Sequence, residues 1–170
     1  MLYMGTGRDW FVTVEFVYDW LVTVVRKPKN GLPLYYMSFY QRIKPDTFKK
    51  VFEYETIDSF QTAYTTIEQD RLLTIWSTGS AHRLRIFWAD GRAIQEVLSV
   101  GWKGEPEFVH LTQDNELAIL IPVEDFSQPP PRKPKFAERY QWTGKGYVLV
   151  DTVPWEARFK ALRRFKQTPK

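Results

Sequence analysis

The chain has 170 residues, 44% of them hydrophobic and 16% aromatic, with no cysteine and a formal charge of +4. That length suits one domain with a real core, and the lack of cysteine excludes disulfides, thiolate metal sites and a cysteine nucleophile while leaving the redox compartment open. The charge is concentrated at the end, where six basic residues after Trp155 face Glu156 alone; the near-neutral remainder does not imply a broad nucleic-acid-binding face.

The first element is written in period two. Even positions from Trp10 to Val24 are all apolar, while Thr13, Glu15, Asp19 and Thr23 fall among the odd ones, which predicts a strand with one buried face. The run exceeds a usual strand, so a break or bulge is expected near Tyr18 and Asp19. Glu15 and Asp19 also interrupt it as a membrane span, for which it is too short. The N-terminus lacks the basic start and small-residue cleavage site of a signal peptide. A cytoplasmic protein is expected, or an exported one if the chain is a processed fragment.

Arg26 to Leu34 is a turn region with Pro, Asn and Gly, with Pro33 at its edge. Strands are then predicted over Leu34 to Ile43, Phe48 to Tyr54 (where FKKVF also permits a helical turn), Phe60 to Ile67, Arg71 to Ser77, His82 to Trp88 and Ala93 to Val100. Phe108 to Leu111, Glu116 to Pro122, Ala137 to Thr143 and Gly146 to Val153 complete the series. Ser127 to Lys135, with four prolines, reads as a stiff polyproline-type connection outside the sheet. Trp155 to Lys166 is predicted as a helix, with Pro154 at its start and Trp155, Phe159 and Leu162 on one side.

Three segments resemble one another: GRDWFVTV (Gly7 to Val14), QDRLLTIW (Gln69 to Trp76) and QDNELAIL (Gln113 to Leu120). Each is followed by a glycine turn, at Lys29 to Gly31, Ala89 to Gly91 and Thr143 to Gly146. Units of about 45 to 60 residues lie in the range of propeller-type repeats. The expected fold is all-β, about ten antiparallel strands in three hairpin repeats, propeller-like or sandwich-like, over residues 1–154 with an insertion at 127–135. A basic C-terminal helix or tail over 155–170 ends it.

The stretch Val97 to Pro122, followed by Glu138 to Val150, resembles the FG-GAP repeats of integrin alpha-like β-propellers. The resemblance covers roughly Gln69 to Val153, with the first copy fainter. It implies blades, and in that family a loop of alternating acidic residues that holds calcium. The matching loop here, Thr112 to Glu116, lacks that alternation and its following glycine, and Glu68 to Asp70 is no better. Calcium needs several oxygen ligands, so no metal and no cofactor are expected, and Asp70 and Asp114 are read as turn caps. Three units are also fewer than the four blades a closed propeller needs, so self-association, a missing part of the protein or two stacked sheets would have to complete the architecture.

Catalytic candidates are few. His82, beside Ser77, Thr78 and Ser80, has no nucleophile elbow around it and reads as part of a connecting loop, and His110 reads as a surface or core histidine. Glu53 with Glu55, and Glu105 with Glu107 near Trp102, are carboxylate pairs of the kind a carbohydrate-active hydrolase would use, and equally of the kind a solvated edge produces. Trp76, Trp88, Trp102, Tyr140 and Trp142 lie at strand ends or beside turns and are the binding candidates, for a protein partner or a carbohydrate, against a reading as core. Arg158, Lys160, Arg163, Arg164 and Lys166 form a basic tail suited to nucleic acid or acidic lipid, against a reading in which the helix docks on the domain. PPRKP would suit a proline-reading module or serve as a rigid loop. The function expected is a non-catalytic binding or assembly module using an exposed aromatic or strand-edge surface, with hydrolase and tail-mediated anionic binder as alternatives.

Overall fold

The computed structural model describes residues 5–6, 9–17, 19–65, 70–90, 93–103, 107–111, 116–125, 127, 129 and 133–158. The protein is all-β. Its strands are β1 (Gly5–Thr6), β2 (Asp9–Val17), β3 (Trp20–Lys29), β4 (Leu32–Lys44), β5 (Thr47–Thr56), β6 (Ser59–Thr65), β7 (Arg71–Ser77), β8 (His82–Ala89), β9 (Ile94–Trp102), β10 (Glu107–Leu111), β11 (Glu116–Glu124), β12 (Pro134–Trp142) and β13 (Tyr147–Pro154). They form three sheets, β1 to β5, β6 to β9 and β10 to β13, and in each the strands lie side by side in chain order. The chain divides into two compact units, Met1–Val100 and Gly101–Lys170.

The long alternating run is two strands. β2 and β3 are an antiparallel hairpin that reverses between Val17 and Trp20, so the expected break at Asp19 is a complete turn. This changes which strand of the first sheet matches the second segment in position. The Asp19 carbonyl accepts the Arg42 amide at 2.8 Å, and the Asp70 carbonyl accepts the Ala89 amide at 2.8 Å. Asp19-Trp20-Leu21-Val22-Thr23-Val24 therefore corresponds to Asp70-Arg71-Leu72-Leu73-Thr74-Ile75, one strand later than the segment beginning at Gly7. The turn at Lys29 to Gly31 joins the second and third strands of a four-strand meander (β3 to β4), whereas those after Ala89 and Thr143 join the third and fourth (β8 to β9, β12 to β13).

In the first unit, alternation sends Trp20, Val22 and Val24 of β3 and Met37 and Phe39 of β4 toward Phe60, Leu72, Trp76 and Phe87 of the second sheet. The interface is aromatic. Phe39 and Phe87 lie 5.1 Å apart between centroids, and the Trp76 ring meets Phe60, Tyr35 and Tyr54 at 5.2, 6.3 and 6.3 Å, all three edge-on. In the second unit β11 buries Leu117 to Ile121 consecutively, the mark of a strand covered on both faces. Leu120, Ala137 and Val153 pack together there with Trp155 against them.

Pro134 and Lys135, expected in the polyproline connection, are the first residues of β12; Pro is tolerated at the start of a strand because no ladder donor is needed there. The helix expected from Trp155 begins as a 3-10 turn over Trp155–Ala157. The Arg158 guanidinium donates to the Trp155 carbonyl at 2.7 Å, and the Arg158 amide bonds the same oxygen, so this carbonyl is already engaged one residue short of the α-helical partner. Residues from 159 onward lie outside the described residues, and with them the rest of the predicted helix.

Candidate interaction surface

One polar contact recurs in all three sheets. A buried residue of the third strand of each meander bonds a carboxylate on the fourth: Ser38 Oγ to Glu53 Oε2 at 2.7 Å, Arg85 Nη1 to Glu96 Oε2 at 3.0 Å, and Arg139 Nε and Nη2 to the two Asp151 oxygens at 2.8 and 2.9 Å. Arg85 also lies 4.3 Å from the centroid of the Tyr54 ring and 3.7 Å from Asp58. The sequence carries a signal for two of these anchors that its reading missed: Arg85 and Arg139 each stand three residues before a tryptophan, Trp88 and Trp142, with a glycine turn following.

The proposed aromatic surface is divided by the structure. Trp76 is wholly buried, its indole N–H donating to Thr74 Oγ1 at 2.8 Å, and Trp102 is buried as well, so neither presents a ring to solvent. For these two the burial agrees with the reading as core; Trp76 belongs to the cluster between the first two sheets. Trp88, Tyr140 and Trp142 are half-buried. Trp142 packs against Tyr147 at 5.4 Å, and the Tyr140 hydroxyl donates to Glu138 at 2.9 Å. Burial, reinforced by that bond, pushes the Tyr140 phenol up to about 12.

The surface that is exposed and apolar lies elsewhere, on β13, the last strand of the third sheet. Val148, Leu149 and Val150 expose 47%, 51% and 44% of their surfaces in succession. Simple alternation would hide every second one. Val148 and Leu149 are in regular register, opposite Gln141 and Tyr140, so both faces of β13 are open there; Val150 then falls at a bulge, an extra residue between Leu149 and Asp151 without a cross-strand partner. β5 repeats the device, since Phe39 pairs with Phe52 and Tyr40 with Lys50, leaving Val51 as the extra, exposed residue.

The described carboxylate candidates, Glu53, Glu55 and Glu107, are held in ion pairs. The Glu53 carboxyl is kept below its usual range first by its bond to the Lys50 ammonium and then by the Ser38 hydroxyl, and Glu55 pairs with Lys29 at 3.3 Å. Glu107 receives Arg158 Nε and Nη2 at 2.8 and 2.7 Å, while the same guanidinium lies 3.8 Å from the centroid of the Trp155 ring. Ser77 Oγ donates to the Gly79 carbonyl at 3.4 Å, as expected of a loop hydroxyl. Among the described residues there is no cluster of three metal-ligating side chains. Glu105, Asp114, the His110 side chain, and Lys160, Arg163, Arg164 and Lys166 of the tail lie outside the described residues. No helix among the described residues is long and apolar enough to cross a membrane.

The sequence matches no family model and no curated protein. Among solved structures the chain is similar to that of an uncharacterized protein, lmo1340, from Listeria monocytogenes EGD-e, with 14% identity and a TM-score of 0.44 over 89% of this chain and 44% of that one. The chain thus spans less than half the length of that structure.

Proposed function

We propose that this chain is a non-catalytic binding or assembly module, propeller-like in the manner of degenerate FG-GAP repeats, whose contact surface is the outer edge of its third sheet. The chain order of the three sheets and the recurring bond between third and fourth strands support the blade-like reading. The observation that carries the function is the run Val148 to Val150, three exposed apolar residues on a strand with no hydrogen-bonded strand on its outer side among the described residues. Edge strands are ordinarily blunted by charge or proline, and an apolar one marks a contact surface.

Light scattering across a concentration series tests this reading. The wild type should exceed one chain's mass or capture a partner, and Val148→Lys with Leu149→Lys should abolish that while leaving the circular dichroism spectrum intact. A wild type that remains a single chain at every concentration and binds the same partners as the lysine variant refutes it.

A further inference from the structure

The β3–β4 hairpin does not stop where its neighbours stop. Pairing between β3 and β4 continues to Lys29 opposite Leu32, while β2 pairs no further than Arg26 and β5 no further than Tyr35. Two prolines account for this. The two-residue turn has Asn30 at φ 53° and Gly31 at φ 82°, the left-handed pair that a type I′ hairpin requires. Lys29 and Leu32 then exchange hydrogen bonds, and Pro28 opposite Pro33 falls at a position whose amides point outward. Those outward amides would have been the next rungs toward β2 and β5. Proline has none, so both outer ladders end, and among the described residues the hairpin continues without a third strand as a two-stranded finger.

The finger is built for a particular environment. Arg26 through Leu32 are all exposed, whereas Leu34 at its base is buried. The strand pleat places Lys27 and Lys29 on the same face as Leu32, which is 64% exposed beside the turn. Lys29 has Glu55 at 3.3 Å, but both side chains are about half exposed and such a pair is easily exchanged. Three residues beyond the last rung to β2 extend roughly 10 Å, comparable to the depth of a lipid headgroup layer.

We propose that this finger docks on an anionic lipid surface, with Leu32 entering the boundary of the acyl chains and Arg26, Lys27 and Lys29 lying among the headgroups. Long cationic side chains hold their charge at headgroup level while an apolar neighbour goes deeper. No residue from Arg26 to Leu34 is aromatic, so the finger lacks the stacking platform that single-stranded nucleic acid would use.

The test is co-sedimentation of the full chain with phosphatidylcholine vesicles, with or without phosphatidylserine, beside a gel-shift titration with single-stranded oligonucleotide. Binding should require phosphatidylserine and weaken with salt. Each basic residue near an anionic surface is worth about fivefold, so Lys27→Glu with Lys29→Glu should weaken it by at least about 25-fold. Leu32→Ser should weaken it separately, without altering its salt dependence. A parallel variant, Arg163→Glu with Arg164→Glu, assigns any contribution of the tail. The proposal is overturned if the finger variants bind vesicles as the wild type does, if only the tail variant loses binding, or if oligonucleotide binds where vesicles do not.

Discussion

Replacing Arg139 and Asp151 singly and together tests what holds the third sheet's outer strand. Arg139 is 1% exposed and makes two charge-assisted bonds, at 2.8 and 2.9 Å, to an Asp151 side chain that is 36% exposed. The two partners are therefore unequal. Arg139→Met fills the space with an apolar chain and leaves a carboxylate that water can reach, so only the bonds are lost; at about 1.5 to 3 kcal/mol each, discounted for that rehydration, the cost is about 3 kcal/mol. Asp151→Leu leaves a guanidinium in the interior without its carboxylate, and should cost more, about 3 to 5 kcal/mol. The double variant removes both charges together and should cost about 1 kcal/mol or less, as when a buried pair gives way to apolar residues. Urea unfolding followed by tryptophan fluorescence reads these as midpoint shifts, with 3 kcal/mol corresponding to about 1.5 M for a slope of about 2 kcal/mol/M. The reasoning fails if Asp151→Leu is milder than Arg139→Met, or if the double variant costs the sum of the two.

Two further outcomes follow from the interior. Trp76→Ala removes the ring on which Phe60, Tyr35 and Tyr54 converge and leaves a cavity between the first two sheets; it should cost about 3 to 5 kcal/mol by the same urea assay, while Trp142→Ala, at a half-buried position, should cost clearly less. Tyr140 ionises near pH 12 when folded, well above an ordinary phenol, so the unfolded chain loses its proton first; the stability from this group is complete below about pH 10 and is lost as the pH rises toward 12. A phenolate absorbance titration should show a late step that Tyr140→Phe removes, and a wild type without that step contradicts the burial argument.

The strands were legible where one face is covered and the other is not, as in the even positions of β3. The phase of the first copy was not, for a physical reason visible in the residues. Asp9-Trp10-Phe11-Val12-Thr13-Val14 and Asp19-Trp20-Leu21-Val22-Thr23-Val24 carry almost the same pattern ten residues apart. Period two cannot tell a continuing strand from one that reverses, since the alternation survives a tight turn. Only the cross-strand bond from Arg42 to Asp19 identifies the second segment as the equivalent of that at Asp70. The aromatic candidates failed to separate for a related reason. Trp76 and Trp142 both stand at strand ends, and whether a ring is covered depends on which sheet packs over that face, which no local pattern records.

The outer strands show why the candidate surface escaped a search for aromatics. β13 buries only Tyr147 and Val153, and β5 buries no side chain completely. Phe52 and Tyr54 of β5 still pack at the border of the core, and in each sheet a buried third-strand residue adds a bond to a carboxylate of the outer strand. That anchorage leaves the remaining side chains without a packing duty. On β5 the positions released in this way carry lysine and glutamate together with Val51, as a solvated edge does. On β13 they carry Val148, Leu149 and Val150, which the ladder, the core and the Arg139–Asp151 bond do not require. Apolar residues at positions with no duty in the fold are what an intermolecular contact would select, and this difference between two outer strands is why the proposed contact is put on the third sheet rather than the first.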